Sequence, residues 1–317
     1  MTPSRDTSSD LHVVLGASGG AGGAVVRALS SGGKRVRAFS RSGRVENING
    51  IEIARGDALE RDALIAACRG ASVIHHCVNL PYHQWGDGLP VVMDNVIAAA
   101  EETGARVAYC DNLYMYGPPS GPMTEGTPYS DHARKGAIRA RLADRLLEAH
   151  ASGRVQVFIG RASDFFGPAE NAAVSMLVIP AVVAGKRARW IGSLDQPHSL
   201  NYIDDVGRAL ALLSETELAY GDVWHLPAPP PVTGREFIEM AFAVAGTPSK
   251  TGVVSRPMMR LAGMFNRQMR EVVEMMYQFE MPFEIDASKF MGAFPEFRIT
   301  SVREGIEASL RWQQTKA

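Results

Sequence analysis

The chain has 317 residues, 46% hydrophobic and 21% charged, with a formal net charge of −1. That is an ordinary globular composition, long enough to bury a core without staples, and near-zero charge argues against nucleic acid or an anionic membrane as the main partner. No apolar run reaches the ~18 residues of a membrane span. The three cysteines, Cys68, Cys77 and Cys110, make no C-x-x-C, so neither a disulfide framework nor a zinc site is implied and a reducing cytoplasm fits.

Met1–Asp10 is polar and lacks the apolar stretch of a secretory signal, so it reads as a disordered tail. Leu11–Leu15 is predicted as a buried strand and Ala21–Ser30 as a helix, with Gly16, Gly19 and Gly22 between and just inside them. A tight glycine turn in that place suits a pyrophosphate. Gly16 permits the sharp turn, Gly19 lets backbone approach the phosphates, and Gly22 lets helix and strand pack closely. The open N–H groups of the helix start face the anion, with Ser18 and Gly20 in the same turn. Strands are then predicted at Arg35–Phe39, Ile51–Arg55, Ser72–Val78, Arg106–Cys110 and Val155–Gly160, and helices at Ala58–Ala67, Val91–Thr103 and Ala137–Ala151. Regular alternation of this kind predicts an α/β fold with a doubly wound parallel sheet, whose ligands sit beyond the carboxyl ends of the strands.

After Arg161 the alternation stops. A helix is expected over Val174–Ala184, another from Asp204-Asp205 through Leu213, and a third after the Pro227–Pro231 turn up to Gly246. Residues 257–278 carry methionines at helical spacing and read as core or dimer surface. The expected division is a tail at 1–10, a dinucleotide-binding domain at 11–168 joined by 199–226, and a substrate lobe of 169–198 and 227–317.

A NAD site usually carries Asp or Glu at the end of the second strand, to hold the ribose hydroxyls. Here that end reads Ser40-Arg41-Ser42-Gly43-Arg44. The acid is absent, and Ser40, Arg41 and Arg44 can hold a 2′-phosphate, which favours NADP over NAD. A solvated basic loop is the plainer alternative. Asp57, with Ala58 beside it, either accepts from the adenine amine or caps the next helix. Cys77, Val78 and Asn79, at the end of the fourth strand, read as further cofactor contacts.

The ordered set Gly16-x-x-Gly19-x-x-Gly22, Val73-Ile74-His75, Asn95, Tyr116-Gly117, Glu125-x-x-Pro128, Gly167-Pro168 and Tyr202-Ile203-Asp204-Asp205-Val206 resembles the extended short-chain dehydrogenases/reductases of the NAD-dependent epimerase/dehydratase type. The resemblance spans most of the chain. It implies a Rossmann-type doubly wound parallel sheet with a smaller, mostly helical C-terminal substrate lobe, a small-molecule substrate and, in many members, a homodimer. The chain departs from the family at its catalytic residues. The Ser or Thr four positions before the Tyr-Gly pair is Asn112. The Tyr-x-x-x-Lys pair, counted from Pro128, falls on Gly136 and Ala140, and no Tyr-x-x-x-Lys occurs between Tyr116 and Arg161.

Hydride transfer needs a proton donor or acceptor beside the reacting carbon. Asn112 can donate a hydrogen bond to a substrate oxygen but cannot act as a base. Tyr114 matches the position where sugar-nucleotide dehydratases of the resembled family place a catalytic Glu. It is the first choice for a replacement acid, with an aromatic packed under the lobe as the alternative. Lys135 and Arg139 precede the two lost positions by one residue, roughly 100° around the helix. They are expected on an exposed basic face, unless a one-residue shift brings Lys135 into the site. Tyr82, His83 and Trp85 follow the fourth strand and are expected to cover the substrate, Tyr82 or His83 being further proton-transfer candidates. Asp164, Phe165, Phe166, His198 and Asn201 are expected to touch substrate. His75 and His76 point to opposite faces of a strand and read as core histidines. No metal site is expected. Three functions are open: an NADP-dependent oxidoreductase or epimerase with a rebuilt acid–base set; an isomerase, lyase or cyclase without net redox; and a non-catalytic NADP-binding sensor.

Overall fold

In the computed structural model, which describes residues 10–46, 48–169 and 172–316, the glycine turn joins β1 (Leu11–Leu15) to α1 (Gly20–Ser31). All but Asp10 of the expected tail lies outside the described residues. The alternation continues through β2 (Arg35–Ser40), β3 (Glu52–Arg55), α2 (Arg61–Cys68), β4 (Ala71–His76), α3 (Trp85–Thr103), β5 (Arg106–Asp111), α4 (Arg134–Ala151) and β6 (Val157–Arg161). Then come β7 (Asp164–Phe166), α5 (Ala173–Val183), β8 (Ala188–Ile191), β9 (Pro197–His198), β10 (Leu200–Tyr202), α6 (Ile203–Ser214) and β11 (Val223–His225). The chain ends with β12 (Val232–Thr233), α7 (Gly234–Val244), β13 (Thr251–Val254), α8 (Arg256–Phe265), α9 (Arg267–Val272), α10 (Ser288–Ala293) and α11 (Val302–Gln314).

Seven strands form one parallel sheet in the order β11-β6-β5-β4-β1-β2-β3. The direction of winding reverses between β1 and β4, which places a ligand crevice at the carboxyl ends of those strands. This is the doubly wound sheet that the alternation predicts. Strand β11 is an addition: with three residues it is too short to show a periodicity. Helix α3 starts six residues before the expected Val91. Pro90 lies inside it and lacks only the N–H that would reach the Gly86 carbonyl, a single lost bond.

Alternate strand residues serve two cores. Val13, Leu15, Ile74, Val107 and Tyr109 pack under α2, α3 and α4. Val14, Val36, Ala38, Val73 and Ala108 pack under α1 and α6. A third core, around Trp190, Phe237, Phe242 and Ile306, joins α5, α7, α11 and β8. Phe166 belongs to it, only 1% exposed and edge-on to Phe237 at 5.7 Å, so it is a core aromatic and not the expected substrate contact. The methionine-rich segment divides: Met259, Met275 and Met276 are buried, while Met258 and Met264 point outward with Leu261 and Phe265.

His12 on β1 and His75 on β4 are buried diagonal neighbours, with Nδ1 of His12 3.0 Å from Nε2 of His75. One ring can donate to the other with a single proton on each, even with Glu215 3.3 Å from His12 Nε2, so the contact requires no charge on either. Burial holds His12 at about 4, against the pull of Glu215, and holds His75 well below its ordinary value, with His12 adding to it. His76, on the other face, stacks on Tyr109 at 4.9 Å and is lowered to about 3 by burial and then Arg139. All three are core histidines, and their depressed values couple stability to pH. Below the ordinary value of 6.5 the unfolded chain takes up protons that the fold refuses. Stability is therefore complete above that value and falls as pH drops toward 4. His12 alone accounts for about 2 kcal/mol of loss at pH 5. Thermal melts between pH 7.5 and 4.5 should show Tm falling with pH, and falling less steeply in a His12→Gln/His75→Gln variant; equal slopes would show that the pair does not carry the effect.

Candidate functional site

Gly16 adopts φ +79°, a conformation that side chains resist, and a Cβ there would meet the Cys77 carbonyl oxygen at 2.7 Å. A Cβ on Gly22 would stand 2.3 Å from the Gly16 oxygen. These two glycines press the turn against β4 and α1 against the turn. The N–H groups of Gly16 and Ala17 donate to the Phe39 carbonyl at 3.0 and 3.2 Å, and that of Gly19 to Gly16 at 2.9 Å. Helix α1 has no side-chain cap and no acid in its first turn, so its leading N–H groups are left for an anion, with Ser18, Gly19 and Gly20 at the mouth.

At the end of β2, Ser40 is buried and its Oγ accepts from the Gly43 N–H at 3.1 Å; Ser42 accepts likewise from Arg44. This tight turn leaves Arg41 and Arg44 exposed. Arg55, at the end of β3, joins them, since a Cβ on Gly43 would lie 2.6 Å from its Cγ. None of the three guanidiniums has a hydrogen-bonded partner among the described residues. Sequence reasoning missed Arg55, although its place at a strand end was a usable signal. The nearest following acid, Glu46, is tied to Arg27, which also holds Asp204 at 3.0 Å. One oxygen of Asp57 accepts from the Leu59 N–H at 3.1 Å, forming a turn ahead of α2, which begins three residues after the expected Ala58. Ala58 is buried, its carbonyl taken by the Asn95 amide at 2.9 Å, which anchors this loop to α3. Cys77 donates its N–H to Leu15 at 3.0 Å, and the Val78 N–H points to His76 at 3.4 Å.

The turn Tyr114–Tyr116 after β5 lies against the first turn of α4. A Cβ on Gly136 would stand 2.4 Å from the Tyr114 carbonyl oxygen. Gly136 is the position that the family count assigns to tyrosine, and no side chain fits there. The Asn112 Oδ1 accepts from the Tyr114 N–H at 3.0 Å, which leaves its amide N–H groups as donors. The hydroxyls of Tyr114 and Tyr82 are 2.8 Å apart, and both rings rest on Trp85. Burial raises Tyr82 to about 12 and Tyr114 well above its ordinary value, with the Tyr82 and Asp164 charges adding to the rise in Tyr114. Both phenols stay protonated at neutral pH. They can donate a hydrogen bond but are poor bases.

Lys135 and Arg139, expected on an exposed face, are 2% and 4% exposed. Lys135 is gripped by Glu271 at 2.8 Å and Glu274 at 2.6 Å, with its ammonium 5.3 Å from the centre of the Tyr82 ring. Arg139 donates to the Tyr109 hydroxyl at 2.7 Å and to Asn79 at 3.0 Å, faces Asp111 at 3.3 Å, and stacks on Trp85 at 4.3 Å. Lys135 and Arg139 are turned inward toward acids from distant segments, while Arg134 and Arg141 of the same helix stay exposed. Trp85 is also corrected: it is 1% exposed, its indole N–H bonded to the Leu80 carbonyl at 2.7 Å, and it floors the two tyrosines instead of meeting substrate. Asn201 is buried, with Oδ1 taken by the Ser163 N–H and Nδ2 by the Leu226 and Pro227 carbonyls, so it pins loops together. His83 is half-buried, its Nε2 3.4 Å from the Gln84 amide nitrogen.

Asp164 opens β7 and His198 closes β9. Their contact, Nε2 to Oδ2, is 2.9 Å, while His198 Nδ1 lies 3.1 Å from the Gln278 carbonyl oxygen. The ring is stacked on Phe279 at 4.7 Å and on Phe283 at 5.4 Å and is 1% exposed. Asp164 is half-buried and close enough to Tyr82, Tyr114 and Tyr277 to help raise all three after burial. Its Oδ1 has no hydrogen-bonded partner among the described residues. Phe165, next in the strand, is also half-buried. Among the described residues no three His, Cys, Asp or Glu side chains are grouped as metal ligands.

The Gly136 contact is testable by stability alone. Gly136→Ala should destabilise by about 1–3 kcal/mol, the usual range for overpacking, and Gly136→Tyr should cost more. Urea denaturation followed by circular dichroism would measure both; an unchanged midpoint for Gly136→Ala would mean that the turn yields freely.

The sequence profile of the NAD dependent epimerase/dehydratase family matches residues 12–224. The uncharacterized protein y4nL of Sinorhizobium fredii is 27% identical over 350 residues, covering 96% of this chain and 95% of the relative. Among solved structures, the epimerase Mth375 of Methanothermobacter thermautotrophicus superposes with a TM-score of 0.82 at 16% identity, over 98% of this chain and 94% of its own. The UDP-glucose 4-epimerase of Thermus thermophilus in complex with NAD gives 0.79 at 16%, over 97% and 100%. The dTDP-glucose 4,6-dehydratase of Bacillus anthracis, also with NAD, gives 0.80 at 14%, over 97% of each chain.

Proposed function

Because the chain belongs to the NAD dependent epimerase/dehydratase family, we propose that it is an NADP-dependent oxidoreductase or epimerase acting on a small carbonyl or hydroxyl compound. The observation that carries the cofactor choice is the end of β2, where Arg41, Arg44 and Arg55 cluster and no carboxylate occupies the turn. Three cations without partners among the described residues suit a 2′-phosphate, whereas a ribose diol would find no acid to bind. Two of the structural relatives named above, the UDP-glucose 4-epimerase and the dTDP-glucose 4,6-dehydratase, carry NAD, so NADP preference is a property proposed for this chain's own loop.

The glycine turn and the open start of α1 would hold the pyrophosphate, and the bound dinucleotide would supply or accept a hydride. The chain's own residues do the rest. Asn112 and Tyr114 offer hydrogen-bond donors to a substrate oxygen, where charge builds up during reduction. Trp85 fixes the Tyr82–Tyr114 pair from below, and Lys135 ties α4 to the segment carrying Glu271 and Glu274. The half-buried Asp164 with an unused oxygen favours an enzyme over a sensor.

Titration of the purified protein should show NADPH binding at least about tenfold more tightly than NADH, the worth of one or two charge-assisted hydrogen bonds. An Arg41→Glu/Arg44→Glu variant should lose that margin while keeping its NADH affinity. Equal affinities in the native protein would remove the NADP reading.

A further inference from the structure

We propose that Asp164 and His198 form the proton-transfer pair of this site, Asp164 touching the substrate oxygen and His198 acting through it. The proposal rests on the oxidoreductase reading above. Its basis is a proton count. The Gln278 carbonyl can only accept, so His198 Nδ1 must donate to it at 3.1 Å. A carboxylate can also only accept, yet Asp164 Oδ2 lies 2.9 Å from Nε2. A neutral imidazole has a single N–H, already spent on Gln278. The second contact therefore needs a second proton, and an imidazolium–carboxylate pair supplies it. The pair holds one exchangeable proton beyond neutral imidazole and carboxylate.

The surroundings keep that proton in place and give it an exit. Phe279 and Phe283 lock the ring and exclude water. The titratable groups near Asp164 are Tyr82 and Tyr114, on the turns after β4 and β5, and Tyr277 with Glu274, on the turn after α9. The three phenols are raised, hence neutral, and Glu274 is bound to Lys135. No Lys or Arg bonds Asp164 among the described residues, so His198 is its one cationic partner there. The second carboxylate oxygen, Oδ1, is unused and half-buried Asp164 can present it to a ligand.

For a carbonyl substrate, the hydride from a reduced nicotinamide dinucleotide brings an electron pair to carbon. The C=O π pair becomes an oxygen lone pair. The one proton that oxygen requires starts on His198 Nε2: it crosses to Asp164 Oδ2, a half-turn of the carboxyl group brings that O–H to the ligand side, and it passes from there to the substrate oxygen. The pair ends as carboxylate and neutral imidazole, with Nδ1–H still on Gln278. Oxidation of an alcohol runs the same transfers backward.

The test begins without cofactor or substrate. In the full-length protein labelled with 15N-histidine at pH 7, His198, assigned by its loss in His198→Gln, should show both ring nitrogens protonated. Asp164→Asn should return the ring to one N–H, with thermal melts checking that the fold survives. A neutral ring in the native protein, unaltered by Asp164→Asn, overturns the proposal whatever the cofactor result. In turnover, Asp164→Asn should lower kcat for NADPH-dependent carbonyl reduction about 100-fold or more, with NADPH affinity unchanged. Tyr114→Phe should cost less than Asp164→Asn. A change confined to KM would likewise overturn it. Failure of the native protein to bind NADPH would count against the cofactor reading alone, because the nitrogen spectra stand apart from it.

Discussion

Helix α4 meets the turn after β5 backbone to backbone, and that contact decides which side chains can face the site. Gly136 sits where a Cβ would be 2.4 Å from the Tyr114 carbonyl oxygen, a separation that no side chain can tolerate. A tyrosine at this helical position would have to push the whole turn away. The absence of any Tyr-x-x-x-Lys between Tyr116 and Arg161 thus agrees with a packing that resists a tyrosine at Gly136. Once the helix is seated this closely, its neighbours Lys135 and Arg139 are carried inward with it.

Those buried cations need partners, because an unpaired charge in a protein interior is costly. Lys135 finds Glu271 and Glu274, and Arg139 finds Asp111 with Tyr109 and Asn79. Asp111 is also 3.5 Å from Arg161, which donates to Tyr116 and Tyr129, and Tyr116 meets His225 at 2.7 Å. The network links α4, β5, β6 and β11 behind the site. It also explains the electrostatics in front. With Lys135 neutralised, no free ammonium acts on Tyr114, so burial dominates and the phenol is held in its neutral form.

The legible parts of the sequence were those set by local geometry. Gly16 and Gly22 announce themselves because a strand, a tight turn and a helix start are contiguous, and the close approaches to Cys77 and Gly16 confirm what the spacing requires. The opposite facing of His75 and His76 follows from strand alternation alone. What was illegible depends on distant partners. On a helical wheel Lys135 and Arg139 look solvated, since Glu271, Glu274 and Asp111 are far away in sequence. Phe166 shares β7 with Asp164 and Phe165, and Asn201 follows His198 by three residues, but the bonds of Asn201 to Leu226 and Pro227 and the packing of Phe166 on Phe237 exist only after folding. Asp164 and His198 could be singled out from the sequence as candidates, yet their pairing could not. The residue that makes the pairing informative, Gln278, contributes only a backbone carbonyl, which no sequence motif records.

That carbonyl distinguishes a structural histidine from one that stores a proton. His12 and His75 face each other, so one proton on each ring satisfies both, and burial drives their basicity down. His198 instead lies between two acceptors, with aromatic rings on its faces and a carboxylate at one end. All three rings are buried, and His12 also faces a carboxylate, Glu215 at 3.3 Å, but its other nitrogen meets His75, which can donate, so one proton per ring is enough; His198 meets an acceptor at both nitrogens, which changes the count of protons the site requires. The same side chain in the same fold thus serves opposite purposes according to whether one of its two partners can donate a proton. At the carboxyl end of the sheet, where a dinucleotide would bring a hydride, the second nitrogen meets Asp164.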